Sequence, residues 1–134
     1  MEIIKGYEDH EIKLEIRDGT MWAIFKDGVI ITKEISSKII RERIKFSNNI
    51  SYPVVVDCRG IKYWTMSSRN HDMKEQAFNL IDYAAVIISS RAIAIIWNYT
   101  SKLSPQPVPC KTYHSEKEAK KWMVLMAQKR LIKL

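Results

Sequence analysis

Glycine, cysteine and histidine are all scarce in this chain of 134 residues, and each shortage removes a class of chemistry. The four glycines, at 6, 19, 28 and 60, form no G-x-G-x-x-G, G-x-x-x-x-G-K or G-x-S-x-G pattern. Without such a loop the backbone N–H groups that cradle a phosphate are hard to assemble, so nucleotide-binding enzymes are disfavoured. Two cysteines, Cys58 and Cys110, are too few for a disulfide framework, and their context reads as neither a bridge nor a metal pair. His10, His71 and His114 stand in three separate segments with no acidic or thiol neighbour at metal-ligand spacing. Neither a metal nor a cofactor is expected. Long apolar runs are also missing: clean stretches such as Ala84 to Ile88 fall far short of the roughly 20 residues needed to cross a bilayer. Charges interrupt the amino terminus within a few residues, so no targeting segment is read there, and the expected setting is a soluble protein in a reducing cytoplasm.

What is present fits one domain over residues 1–134, with a core from about residue 11 to about residue 128. Lys and Arg number 22 against 15 Asp and Glu, a formal charge of +7 that makes an anionic partner conceivable. Much of the excess collects near the carboxyl end, at Lys117, Lys120, Lys121, Lys129, Arg130 and Lys133. No basic block there is interleaved with exposed aromatics, so a solvated helix face is the plainer reading and nucleic acid is disfavoured as a partner.

Residues Glu11 to Arg17 alternate without a fault, with Ile12, Leu14 and Ile16 on one face. The pattern predicts a strand with one wet face at a sheet edge. Asp18-Gly19 then favours a tight turn, and Thr20 to Phe25 returns antiparallel. Val29 to Ile31 is a short strand or an apolar approach to the first helix. That helix is predicted over Lys33 to Phe46, capped by Thr32, with Ile35, Ile39, Ile40 and Ile44 inward, ending near Asn48-Asn49. Tyr52 to Asp57 lacks polar alternation, which places it at the sheet centre, covered on both faces. A second helix is predicted from Ser67 to about Ile81 with Met73, Ala77, Leu80 and Ile81 inward, a strand over Tyr83 to Ile88, and a third helix from Arg91 to about Lys102. Pro105, Pro107 and Pro109 enforce an extended connection to a last strand, Cys110 to Tyr113. Ser115-Glu116-Lys117-Glu118 is a capping box that opens a final helix with Ala119, Trp122, Met123 and Met126 inward. The expectation is an α/β domain with a mainly parallel sheet, an antiparallel edge hairpin and about four helices.

Candidate chemistry concentrates after the central strand. Cys58 beside Arg59 would have a lowered thiol pKa and could serve as a nucleophile. No anion-binding loop follows, so structural roles for Asp57, Cys58 and Arg59 are preferred, Asp57 holding the loop backbone. Ser67-Ser68 opens a helix, where a phosphate would meet unpaired amides, although capping alone explains the pair as well.

Tyr52-Pro53-Val54-Val55-Val56-Asp57-Cys58-Arg59-Gly60, followed by Trp97-Asn98-Tyr99, Pro107 to Pro109 and Tyr113-His114-Ser115-Glu116 with Ala119 and Trp122, resembles the STAS domain of SpoIIAA-type anti-sigma-factor antagonists. More narrowly it resembles the small uncharacterised SpoIIAA-like bacterial proteins, over roughly Met21 to Met126. The resemblance implies a STAS-like fold and a switch in which a partner kinase phosphorylates a serine of an Asp-Ser-Ser/Thr-Gly motif. Counting from the strand, this chain has Thr65 in place of that aspartate, Met66 at the modified serine, Ser67 at the next hydroxyl and Ser68 at the glycine. Lacking the acid and the glycine, it supports the fold more than the phospho-switch.

The leading expectation is therefore a non-enzymatic regulatory or protein-interaction domain, of the kind found in bacterial signalling. It would dock a protein partner through Asp57, Arg59, Thr65, Ser67, Ser68, Arg69 and neighbouring helices. The alternative is a small-molecule or lipid-binding domain, because the resemblance extends to lipid-carrier architecture and Ile93, Ile96, Trp97 and Tyr99 make the third helix unusually apolar. A homodimer is expected from the apolar ending Leu131, Ile132 and Leu134.

Overall fold

The computed structural model describes residues 3–65, 75–89 and 107–132. Its strands are β1 (Ile3–Glu8), β2 (Ile12–Arg17), β3 (Thr20–Phe25), β4 (Val29–Ile31), β5 (Tyr52–Asp57), β6 (Ile61–Trp64), β7 (Ile81–Ile87) and β8 (Cys110–Tyr113). Two α-helices are described, α1 (Lys33–Ser47) and α2 (Glu116–Ile132), together with a single 3₁₀ turn over Glu75–Phe78. The main sheet has six strands in the order β1-β2-β3-β5-β7-β8, and β4 pairs with β6 in a separate parallel ribbon. β1, β2 and β3 are antiparallel, whereas β3, β5, β7 and β8 are joined by parallel pairings. The fold is thus α/β with a mixed, mostly parallel sheet.

Period-two alternation along β3, β5 and β7 supplies both faces of the sheet. Met21, Ala23, Val54, Val86 and Ile88 pack with Ile39 and Phe46 of α1. Their neighbours Trp22, Val55, Tyr83, Ala85 and Ile87 face Ala119, Trp122 and Met123 of α2. α1 starts where Thr32 Oγ1 accepts the Ile35 N–H at 3.2 Å, and it ends as Asn48 turns left-handed at φ 53°. The N–H of Glu118 donates to Ser115 Oγ at 3.2 Å, one half of the predicted capping box. On the α2 face, Trp122 meets Tyr83 edge-on with centroids 5.8 Å apart, a contact worth roughly 0.5–1.5 kcal/mol beyond its buried area.

Three expectations are corrected. β2 is not an edge strand, because β1 pairs along its outer side. Lys5 and Gly6 break any alternation in β1, yet Lys5 Nζ reaches the Phe46 carbonyl at 2.8 Å and so meets the negative end of α1. The polar face of β2 is only partly wet: the Lys13 side chain is 40% exposed, but Glu15 is 5% exposed and holds Arg17 at 2.5 Å, while the Arg17 guanidinium lies over the Trp22 ring. The predicted second helix does not reach Ile81. Leu80 is left-handed at φ 62° and Ile81 already belongs to β7, so the apolar pair read as a helix end is a turn and a strand start. Of the about four helices expected, two α-helices lie among the described residues; the predicted third helix and the start of the second fall outside them. β6 is an additional strand, in a segment read as a loop.

Gly60 links this ribbon to the main sheet. A Cβ there would stand 2.6 Å from the carbonyl oxygens of Phe25 and Lys26, and the Gly60 carbonyl accepts the Gly28 N–H at 2.8 Å. Gly60→Ala is therefore expected to destabilise by about 1–3 kcal/mol, seen as a lower melting temperature. Gly6→Ala is the control, since its Cβ would meet only the Leu14 carbonyl at 3.9 Å, and it should change stability by less than about 1 kcal/mol.

Candidate functional site

The loop singled out by the sequence is a small, internally satisfied unit. Asp57, 8% exposed at the end of β5, accepts the Arg59 N–H at 3.1 Å and the Arg59 Nε–H at 2.9 Å on one oxygen. Its other oxygen accepts from Arg59 Nη2 at 2.7 Å. This two-pronged clasp raises the Arg59 pKa, the hydrogen bond to Asp57 being the largest cause, and commits the guanidinium to Asp57. Thr65 donates its N–H to the Ile31 carbonyl at 3.0 Å, continuing the β4–β6 pairing. Asp57 and Arg59 thus stand together at the end of β5 and Thr65 follows the end of β6, while Ser67, Ser68 and Arg69 lie outside the described residues, as do Ile93, Ile96, Trp97 and Tyr99.

A second feature lies beneath α1. The sheet floor there is built from small side chains: Ala23, Val56 and Val86 lie in register across β3, β5 and β7, with Val54, Ala84 and Cys110 in the next row. Ile39 and Ile40 of α1 are opposite, Trp64 of β6 and Phe78 of the 3₁₀ turn add to the walls, and a cavity of about 140 Å³ remains. Its lining is overwhelmingly apolar. Both cysteines reach it, but Cys110 is level with Val54, four residues before Cys58, and two strands away. That offset, about 13 Å along the strand direction alone, is beyond disulfide reach. Burial pushes the Cys110 thiol up to about 12 from an ordinary value of 9.0, so it is a poor nucleophile at neutral pH.

One cation lines the same space. Arg43 falls in phase with the apolar stripe of α1, one turn beyond Ile39 and Ile40, and is 5% exposed. Its Nη2 donates to the Ala77 carbonyl at 3.2 Å, whereas its Nη1 is buried with no hydrogen-bond partner among the described residues. No carboxylate among the described residues lies at ion-pair distance. Burial lowers the Arg43 pKa from 12.5 to about 10, equivalent to about 3 kcal/mol spent on keeping the charge. Sequence reasoning missed this residue, although a cation at an inward helical position was a visible signal. Among the described residues no group of three His, Cys, Asp or Glu side chains is placed to hold a metal ion, and no helix is long and apolar enough to cross a membrane.

The outer side of α2 is a third feature. At about 100° per residue, Val124, Leu125, Leu131 and Ile132 fall on the side opposite Ala119, Trp122, Met123 and Met126. These four residues are 54–84% exposed. α2 therefore carries apolar side chains on two sides, one docked on the sheet and one open, the open side being shared with Lys117, Lys121 and Gln128.

With fold and site in place, comparison with known proteins shows the lineage. A family model described as a domain of unknown function (DUF7793) matches residues 14–126, and the chain belongs to that family. No curated protein matches it. A crystal structure of an uncharacterised protein from the DUF3478 family with a SpoIIAA-like fold, from Shewanella loihica PV-4, superposes with a TM-score of 0.57. The two chains are 15% identical, and the match covers 83% of this chain and 90% of the other. The SpoIIAA-like fold expected from the sequence is thereby shown.

Two outcomes follow from these environments. Alkylation of the folded protein at pH 8 should label Cys110 at least about 100-fold more slowly than in denaturant, read by peptide mass spectrometry. Asp57→Ala should cost about 1–2 kcal/mol in chemical denaturation and exceed Arg59→Ala, because only the former leaves the Arg59 backbone N–H without its acceptor.

Proposed function

We propose that this chain is a non-enzymatic binding domain that takes a small, largely apolar molecule between α1 and the sheet. The observation that supports this reading is the cavity of about 140 Å³ over the Ala and Val floor. An engineered apolar cavity of about 150 Å³ takes benzene, which sets the scale of ligand at roughly six to eight non-hydrogen atoms. A non-catalytic role is supported by the Arg59 guanidinium, which is clasped to Asp57, and by the second cysteine, Cys110, whose thiol pKa is raised by burial.

Ala84→Leu tests the reading, since Ala84 is 2% exposed and its side chain faces the cavity floor. Filling a real cavity should leave the melting temperature unchanged or raised and abolish the chemical-shift perturbations caused by benzene in a two-dimensional NMR titration. A drop of several degrees, as overpacking a full core would produce, sinks the proposal.

Protein docking is the second reading, favoured by the open apolar face of α2, and its proposed occupant is a second copy of the chain. Four large apolar side chains on one exposed helix face form the kind of patch that soluble monomers rarely leave uncovered. The surface around Arg59 belongs to this regulatory reading as well, because the Arg59 side chain is 43% exposed. Light scattering at about 100 µM should give a dimer mass that falls to the monomer in Val124→Lys/Leu131→Lys. A monomeric parent protein at that concentration would count against self-association.

A further inference from the structure

The geometry points to Arg43 as the anion anchor of the cavity, and to a small amphipathic monocarboxylic acid as its ligand, the apolar body over Ala23, Val54, Ala84 and Val86 and the carboxylate on the guanidinium. This deepens the cavity reading and rests on it.

Three observations converge. Arg43 lines the cavity. It is 95% buried by complement of its 5% exposure, so its cation is already removed from water before any ligand arrives. Its Nη1 has no partner among the described residues, while Nη2 is held in place by the Ala77 carbonyl. A fold normally pairs a buried guanidinium, since an unpaired one carries a desolvation penalty with nothing in return. A carboxylate entering the cavity would meet a cation that is oriented and dehydrated, and would complete the missing hydrogen bond as a charge-assisted one.

Size and charge narrow the choice of head group. One guanidinium with one unpaired nitrogen matches a monoanion, whereas a phosphate monoester brings nearly two charges and more acceptor oxygens than the described walls can satisfy. Apart from Ser36, Cys58 and Cys110, the remaining described walls are aliphatic or aromatic, which suits a short alkyl or aryl body and leaves few partners for further hydroxyl or amine groups.

The test compares hexanoate, 1-hexanol and hexyl phosphate by isothermal titration at pH 7 against the parent protein, Arg43→Met and Arg43→Lys. Hexanoate is expected to bind at least about tenfold more tightly than 1-hexanol. Arg43→Met should bring hexanoate down to or below the alcohol while leaving 1-hexanol within about threefold, and Arg43→Lys should keep part of the preference. Arg43→Met should also melt higher than the parent, the reverse of what a purely structural arginine would show. Equal binding of acid and alcohol by the parent protein overturns the anchor while leaving the cavity reading intact. Tighter binding of hexyl phosphate overturns the choice of head group. No binding of any probe overturns both readings. If Arg43→Met fails to fold, the acid-to-alcohol ratio in the parent and in Arg43→Lys still decides the matter.

Discussion

β5 is hydrogen-bonded along both edges and covered on both faces, and the positions of the other features follow from that confinement. Its parallel neighbours β3 and β7 cannot be reached by tight hairpins, so each connection must cross a face of the sheet. The crossover from β3 to β5 carries α1, which settles on the face formed by Ala23, Val54 and Val86. α2 closes the opposite face over Trp22, Val55 and Tyr83. Asp57 emerges where this most constrained strand stops, and its clasp on Arg59 turns the chain outward into β6 without leaving a buried carboxylate unpaired.

The two faces of the sheet are packed to different standards. On the α2 side, Trp22, Tyr83 and Trp122 fill the volume with large rings in edge-on and cation–π contact. On the α1 side the floor is Ala and Val, and the helix presents an arginine where its own periodicity calls for an apolar side chain. Among the described residues, a pocket left between helix and sheet and a buried guanidinium with one unpaired nitrogen both oppose folding. A sequence shaped for stability alone would remove both with two substitutions. Their coincidence in one place is what motivates the proposal of a ligand on this face.

Much of the frame was legible in the residues. Alternation over Glu11 to Arg17, the Asp18-Gly19 turn and the unbroken apolar run before Asp57 each have a single structural solution, and the hairpin and central strand are where they point. Both helix starts are likewise set by side-chain caps acting within one turn. β1 and β6 were hidden because their stability is borrowed: β1 leans on β2 and the end of α1, and β6 exists by pairing with β4. Neither strand has enough alternation to declare itself. The cavity was hidden for a different reason, since an absence of volume is a property of facing surfaces and not of any one segment. Arg43 was within reach, but a charge inside an apolar stripe is easily taken for the solvent side of the helix. The weak amphipathicity of α2 has the converse explanation: apolar side chains on two opposed sides cancel the periodic signal, leaving only the inward residues to be read from the capping box onward.

The close approach at Gly60 ties together two turns that are distant in sequence. The 26–28 turn and the 58–60 turn share a hydrogen bond and leave no room for a side chain between them. They behave as one mechanical joint rather than as two loops, so neither can lengthen, acquire bulk or swing away alone. Across related chains, length changes at these two positions should occur together. Anything that displaces the Asp57–Arg59 clasp would be felt first at the opening of β4 and α1, on the side of the sheet where the cavity lies.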